Sequence, residues 1–312
     1  MWIIYALMAA GLWATVNYVD KYIVTYFSKG EQIGSLVLYS AFIGFPFCTI
    51  IYLTIGNRLF IINPLSLLLI IIAGLIYILA LIPYLHGLAK DEVSSVIPQF
   101  MLVPIFGLML EYFLGELKIS TSEIIGAIFI ITGVIAINVE KTSETITIKK
   151  DTLGYMAIAS LLIALNAFVF KYISIEENDF WLSAFWQYFG FNIAGLLIFT
   201  FNKKYRDDFI NVIYENGFLG IGVNALGEIV AVLGNLAFYY ATLKAALPIV
   251  QITAEGFQPI FVFLIGVLIT MARKMHAHKN KIELLVGKVE IKNFYILGLM
   301  IIGLIMINIV TF

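Results

Sequence analysis

Of the 312 residues in this chain, 62% are hydrophobic and only 12% are charged, with a formal net charge of −1. A soluble domain carries about 25% charged residues, so this composition excludes a soluble protein of this length. The apolar residues form continuous runs instead of alternating with polar ones, which also excludes a transmembrane β-barrel. The sequence therefore predicts a helical membrane protein that crosses the bilayer several times.

Ten apolar segments reach the length of about 20 residues that a helix needs to cross a bilayer. In chain order they lie near residues 3–26, 33–55, 65–88, 93–114, 122–139, 153–173, 181–201, 218–241, 248–271 and 294–311. The first segment lacks the positive start and the small-residue cleavage site of a signal peptide, so we interpret it as a retained helix. Cys48 is the only cysteine, which excludes an intrachain disulfide.

The two halves of the chain repeat one another. Val19–Ile23 returns as Val169–Ile173, and Pro104–Phe106 returns as Pro259–Phe261. Because each half holds five segments, the second copy must enter the bilayer upside down relative to the first. Many secondary transporters are built from inverted repeats of this kind. We therefore predict an all-α membrane protein with ten transmembrane helices, arranged as two inverted five-helix repeats.

The predicted boundaries follow from the repeat: a first five-helix repeat at 1–140, a linker at 141–152, and a second five-helix repeat at 153–312 with a basic insertion at 272–293. The insertion contains His276 and His278. Two histidines without a third ligand make a weak metal site, so we expect no bound metal. We interpret the insertion as a basic segment that lies against anionic lipid headgroups.

Lysine and arginine are concentrated in the odd-numbered connections between segments. Without the 272–293 insertion, Lys21 and Lys171, the count is still eight against three. The positive-inside rule then places the odd-numbered connections in the cytoplasm and both termini outside. Lys21 and Lys171 occupy equivalent positions in the two repeats, where they either extend to the membrane interface or form an anion-binding pair.

The eighth predicted segment carries a polar stripe. Glu228 lies near its middle, and Asn224 and Asn235 fall on the same helical face. Ionisable side chains at this depth usually face a cavity or a partner. We therefore predict that Asn224 and Glu228 bind a substrate or the coupled proton, and the alternative is a protonated structural glutamate.

The ninth predicted segment carries a second polar stripe, formed by Gln251, Glu255 and Gln258. Pro259 removes a backbone donor beside it, which leaves a carbonyl free for a ligand or water. We expect the stripes of the eighth and ninth segments to face one another across a hydrated cavity. The same two alternatives apply to Glu255, a substrate- or proton-binding carboxylate or a structural one.

Trp13 and Asn17 lie one turn apart on the first segment, where they are candidates for lining the same cavity. Trp13 is equally suited to packing against lipid. No phosphate-binding loop, zinc-protease motif or nucleophile elbow occurs in the chain. The missing phosphate-binding loop argues against an ATP-driven pump, and we predict no catalytic residues.

Several stretches, in this order, resemble the EamA-type members of the drug/metabolite transporter superfamily. They are Trp13–Lys21, Ala89–Val96, Pro104–Phe106, Gly115–Leu117, Ile124–Ala127, Ile131–Val134, Tyr240–Leu243, Glu255 and Pro259–Phe261. The Gly-Glu turn of the fourth segment is missing after the ninth, where the 272–293 insertion replaces it. Short relatives carry an essential glutamate in the first helix, where this chain offers Asn17, so their proton-coupling scheme does not transfer.

The resemblance implies small-metabolite transport, usually export, by alternating access and without a bound cofactor. It also implies cytoplasmic termini, contrary to the charge count, which we retain because it measures this chain directly. We therefore predict a multi-pass plasma-membrane transporter, not an enzyme, for an amino acid, amine or other zwitterionic or cationic compound. A flippase for a lipid-linked sugar and a non-transporting membrane enzyme or scaffold are the alternatives.

The expected partners are the substrate, the lipid bilayer and a coupled proton or sodium ion, with no nucleic acid. The sequence leaves open whether the protein forms a homodimer.

Overall fold

The computed structural model describes residues 1–28, 33–114, 120–141, 146–275 and 291–308, and the structural statements below concern these residues. Most of the predicted basic insertion at 272–293, including both of its histidines, lies outside the described residues. The described chain is a bundle of helices with one short hairpin.

The first half of the chain contributes seven helices to the described structure. They are α1 (Trp2–Tyr22), α2 (Gly34–Phe42), α3 (Gly44–Ile55), α4 (Pro64–Lys90), α5 (Val93–Val96), α6 (Leu102–Leu114) and α7 (Thr121–Ile137). A π-helical turn, Ile23–Phe27, extends α1, and 3₁₀ turns follow α3 at Gly56–Phe60 and α5 at Ile97–Met101.

The second half contributes five described helices: α8 (Lys150–Glu176), α9 (Phe180–Phe201), α10 (Lys203–Thr242), α11 (Leu247–Met275) and α12 (Ile291–Asn308). Between the halves, β1 (Val139–Lys141) pairs antiparallel with β2 (Ile146–Ile148). The sequence predicted only a linker here. A three-residue strand is too short for its alternation to stand out in the sequence.

Eight helical segments in the described part of the chain are long and apolar enough to cross a membrane: α1 with its π-helical turn, α2 with α3, α4, α5 with α6, α8, α9, α10 and α11. Helix α7 and residues 295–307 of α12 are apolar but shorter. The prediction of a helical, multi-pass membrane protein is confirmed.

Several helices begin where a polar side chain caps free backbone N–H groups. Asn63 accepts from the N–H of Leu65 ahead of Pro64 at the start of α4, a proline position that needs no donor. Ser120 and Glu123 form a reciprocal capping box at the start of α7. Each cap satisfies N–H groups that have no partner within the helix.

Helix α10 begins much earlier than the predicted eighth segment at 218–241. Asn202 caps it, and the helix runs through Lys203–Thr242 with a non-helical residue at Gly217, where φ is 51° and ψ is −142°. The stretch before Gly217 was missed because it is rich in charged residues, and a search for apolar runs does not detect a polar helix. The positive φ at this kink suits glycine, which has no Cβ.

The bundle is held together by a few extensive helix pairs. Helix α1 packs on α10 and α11, α4 packs on α8 and α9, and α7 packs on α12. Helices α6 and α11 also meet, and α2 lies against α10. This packing brings α1, α4, α8, α10 and α11 around the centre of the molecule.

Lys21 and Lys171 bind to different parts of this bundle. Lys21 Nζ donates to the backbone carbonyls of Leu88 and Asp91, each at 2.8 Å, at the end of α4. Lys171 Nζ lies 4.0 Å from a carboxylate oxygen of Glu111, near the end of α6. Because these partners lie at opposite ends of the bundle, the two lysines do not form an anion-binding pair.

Candidate functional site

A cavity lies at the centre of the bundle, enclosed by α1, α2, α4, α8, α10, α11 and the 3₁₀ turn after α5. It holds about 680 Å³ of space between the atoms, including its open mouth. The part of this space that is open to water-sized molecules is about 100 Å³, which is room for several waters or a small solute. The cavity is therefore the candidate binding site.

Three carboxylate side chains line the cavity: Asp20 on α1, Glu228 on α10 and Glu255 on α11. Their residues are only 9%, 8% and 3% exposed, so all three are buried. Among the described residues that line the cavity there is no lysine, arginine or histidine. The wall is thus acidic, with no cationic side chain to balance it.

Two of these carboxylates accept hydrogen bonds from neutral neighbours. The Tyr84 hydroxyl lies 3.0 Å from Asp20 Oδ2 and 3.0 Å from Asn17 Oδ1, so its single proton serves one of them at a time. Ser40 Oγ donates to Glu228 Oε1 at 2.5 Å. These contacts orient Asp20 and Glu228 without neutralising a negative charge.

A chain of hydrogen bonds crosses the aromatic side of the cavity. Trp13 Nε1 donates to Asn235 Oδ1 at 2.9 Å, and Asn235 Nδ2 donates to the Tyr77 hydroxyl at 3.0 Å. The Tyr77 ring stacks on Phe191, with 4.7 Å between the ring centroids and 4° between the planes. The chain fixes the rings of Trp13 and Tyr77 and occupies the indole donor.

Glu255 differs from the other two acids because no hydrogen bond or ion pair joins its side chain to another described residue. Pro259 lies four residues later within α11 and has no N–H to offer the backbone carbonyl of Glu255. Gln258 Oε1 and Asn17 Nδ2, also on cavity-lining residues, have no hydrogen-bond partner either. Buried polar groups are normally paired, so these unpaired groups of Glu255, Gln258 and Asn17 are suited to bind a ligand or water.

The structure brings together five of the seven site residues predicted from the sequence. They are Trp13, Asn17, Glu228, Glu255 and Gln258. The two polar stripes therefore contribute to one cavity, as expected.

Asn224 and Gln251 are not among the cavity-lining residues. Asn224 is buried and its Nδ2 donates to the carbonyl of Gly220 on its own helix. Gln251 lies against Gly107 of α6, so closely that a Cβ at Gly107 would collide with its side chain. Each residue lies one helical turn before a cavity-lining glutamate, but its own side chain lies outside the cavity wall.

Three important lining residues were missed as site residues: Asp20, Ser40 and Tyr77. For Asp20 a signal existed, because Trp13, Asn17 and Asp20 follow the i, i+4, i+7 spacing of one helical face. Ser40 and Tyr77 carry no such signal, because serine and tyrosine are common in apolar helices.

Among the described residues, no group of three His, Cys, Asp or Glu side chains is arranged to hold a metal ion. His276 and His278 lie outside the described residues.

Comparison with known proteins gives a family match over the first part of the chain. Residues 1–139 match the model of the EamA-like transporter family, which confirms the resemblance seen in the sequence. This match supports a membrane transporter of small molecules, consistent with the multi-pass helical fold and the buried central cavity.

The fold also resembles a solved structure described as "Crystal structure of protein". The TM-score is 0.51 at 12% identity, with 97% of each chain covered. At this identity the match supports the fold alone. No curated protein matches the sequence.

Proposed function

We propose that this protein is a secondary transporter that exports a small cationic or zwitterionic metabolite by alternating access. The observation that carries the proposal is Glu255, a carboxylate that is 3% exposed, lines the central cavity and has no partner in the described chain. A buried charge without a partner is costly, so it favours a cationic solute or a proton.

The packing of the helices supports two inverted five-helix repeats. We take α1, α2 with α3, α4, α5 with α6, and α7 as the first five crossings, and α8 to α12 as their counterparts. Exchanging each crossing with its counterpart turns the α1–α10 contact into α8–α4, α1–α11 into α8–α6, and α4–α9 into α10–α2. All of these contacts are present in the bundle.

Three further contacts map onto themselves under this exchange: α7 with α12, α6 with α11, and α2 and α3 with α9. Self-mapping contacts are what a pseudo-twofold axis requires at the places where it passes between the halves. This pattern supports the proposal that α7 and α12, although short, are the fifth and tenth crossings.

The position of the cavity supports alternating access. Asp20, Ser40 and Tyr84 come from the first half, whereas Glu228 and Glu255 come from the second. A site shared by two inverted halves can open to either side of the membrane when one half rocks against the other. The energy would come from a proton or sodium gradient, or from exchange of solutes.

The Glu255→Gln variant tests the proposal. We expect it to fold, because glutamine has the same shape, and to lose transport in proteoliposomes loaded with a metabolite mixture. Removing one partner of a buried charged pair costs about 2–5 kcal/mol, so affinity should fall by about 30-fold or more.

Glu176→Gln is the matched control, because Glu176 is an exposed residue at the end of α8 and far from the cavity lining. It should transport like the unmodified protein. Equal flux and equal pH dependence in Glu255→Gln and in the unmodified protein would remove Glu255 from the mechanism.

A further inference from the structure

We propose that the cavity binds a linear aliphatic diamine, a solute with two ammonium groups and no carboxylate. This inference rests on the proposed transport function and narrows its substrate class. It follows from the charges, the free hydrogen-bonding groups and the apolar surface of the cavity.

The charges of the wall call for more than one positive centre. Asp20, Glu228 and Glu255 are all buried, and no described cationic side chain lines the cavity with them. Buried charges require partners. A single ammonium group would leave two of these acids to be neutralised by protons, whereas a diamine leaves only one.

The three acids come from both halves of the chain. Asp20 lies on α1 in the first half of the chain, and Glu228 and Glu255 lie on α10 and α11 in the second half. A solute with an ammonium group at each end can contact acids of both halves at once. Binding would then link the two units that must move against one another.

The charge of the wall and the free acceptors disfavour a solute that carries a carboxylate, such as an amino acid. The Glu255 side chain and Gln258 Oε1 are acceptors without a partner among the described residues. The Trp13, Ser40 and Tyr84 donors already serve Asn235, Glu228 and the Asp20–Asn17 pair. The donors that remain, Asn17 Nδ2, Gln258 Nε2 and the Tyr77 hydroxyl, are all neutral, and the three acids of the wall would repel a carboxylate.

The rest of the wall fits a methylene chain. Val16, Leu81, Ile163 and Phe100 supply apolar surface to the wall of the cavity. The faces of aromatic rings such as Trp13 attract an ammonium group placed over them. A wall that combines acids with apolar surface therefore suits two cations joined by a hydrocarbon chain.

Three commercially available solutes separate the effect of the second ammonium group from the effect of a carboxylate. 1,5-Diaminopentane is L-lysine without its carboxylate, and n-pentylamine is 1,5-diaminopentane without one amine. We expect titration calorimetry on the purified full-length protein to give a dissociation constant for 1,5-diaminopentane about tenfold or more below those of L-lysine and n-pentylamine.

Variants locate the binding. Asp20→Asn and Glu255→Gln should each weaken 1,5-diaminopentane binding by about tenfold or more, and Glu176→Gln should leave it unchanged. Thermal unfolding without solute identifies a variant that fails to fold. If Asp20→Asn fails to fold, Asp20→Glu replaces it, because glutamate retains the charge. Binding of 1,5-diaminopentane that is retained in Asp20→Glu and weakened in Glu255→Gln then supports the proposal.

Equal or tighter binding of L-lysine would overturn the exclusion of a carboxylate, and equal binding of n-pentylamine would overturn the need for two cations. Absence of 1,5-diaminopentane binding would overturn the inference as a whole. These results would leave the transport proposal standing, because that proposal fails only if flux of the metabolite mixture is absent or independent of Glu255.

Discussion

At the scale of single residues, two buried polar clusters in the described part of the chain differ in how far their groups are paired. In the cavity, Glu255 and Gln258 Oε1 lack partners. Outside it, the Tyr239 hydroxyl donates to Asn166 Oδ1 at 2.6 Å and accepts from Gln187 Nε2 at 3.0 Å. Asn166 in turn donates to the carbonyl of Ala73 at 2.8 Å. The second cluster ties α4, α8, α9 and α10 together, so its role is stability.

Tyr239→Phe tests this role. Loss of the hydroxyl leaves Asn166 Oδ1 and Gln187 Nε2 buried without that partner, which should lower the free energy of unfolding by about 1–2 kcal/mol. Tyr240→Phe is the control, because Tyr240 is half-buried and contacts its neighbours through its ring. Its stability should change by less than about 0.5 kcal/mol.

Thermal or denaturant unfolding in detergent measures both variants. Equal stability of Tyr239→Phe and Tyr240→Phe would contradict a structural role for the Tyr239 hydroxyl.

The sequence identifies the residues of the cavity only when they are rare in membrane helices. Glu228 and Glu255 stand out because a charge within an apolar segment needs a reason to be there. Gln251 shares their stripe, yet it lies against Gly107, because helical spacing alone does not state where a stripe ends. Ser40 and Tyr77 become visible only when the neighbouring helices are in place.

At the scale of elements, the two shorter apolar helices α7 and α12 meet in a close backbone contact. A Cβ built on Gly303 would lie 2.6 Å from the carbonyl oxygen of Gly126, and one built on Gly126 would lie 2.5 Å from that of Gly303. The two glycines therefore allow the backbones to touch. Small residues serve this purpose in many membrane helix pairs.

Gly303→Ala should force α7 and α12 apart and lower the free energy of unfolding by about 1–3 kcal/mol. Gly298→Ala on the same helix is a matched control, because a Cβ there meets no atom within 4 Å. Alanine should be neutral at Gly298 or stabilise the helix by up to about 1 kcal/mol. Unfolding in detergent compares the two, and an unchanged Gly303→Ala would contradict the close contact.

The elements also differ in how far the sequence predicts them. Caps such as Asn63 before Pro64 and Ser120 with Glu123 are local and are readable from neighbouring residues. The start of α10 cannot be predicted from neighbouring residues, because its charged first part resembles a loop. That part gains its helical structure by packing Tyr205 and Val212 against the bundle. Tertiary contacts, which no local pattern contains, decide that element.

At the scale of the whole molecule, the sequence predicts the membrane class and the family resemblance because both depend on composition and on repeated motifs. The exchange symmetry of the helix contacts adds support for the inverted repeats. The sequence predicts a hydrated cavity between the two polar stripes but not its full wall, because seven elements from both halves form that wall. The outward placement of the termini stays a prediction from the charge count.

The most direct test of alternating access is the accessibility of Ala231, which lines the cavity on α10. Cys48 is replaced by alanine, and cysteine is introduced at Ala231 or, as a control, at Leu226, a largely exposed residue of α10 that faces away from the cavity. A membrane-impermeant thiol reagent is then applied to intact cells and to inside-out vesicles. The account predicts that Ala231→Cys reacts from both sides and Leu226→Cys from neither, whereas reaction of Ala231→Cys from one side only, or from neither, would contradict it.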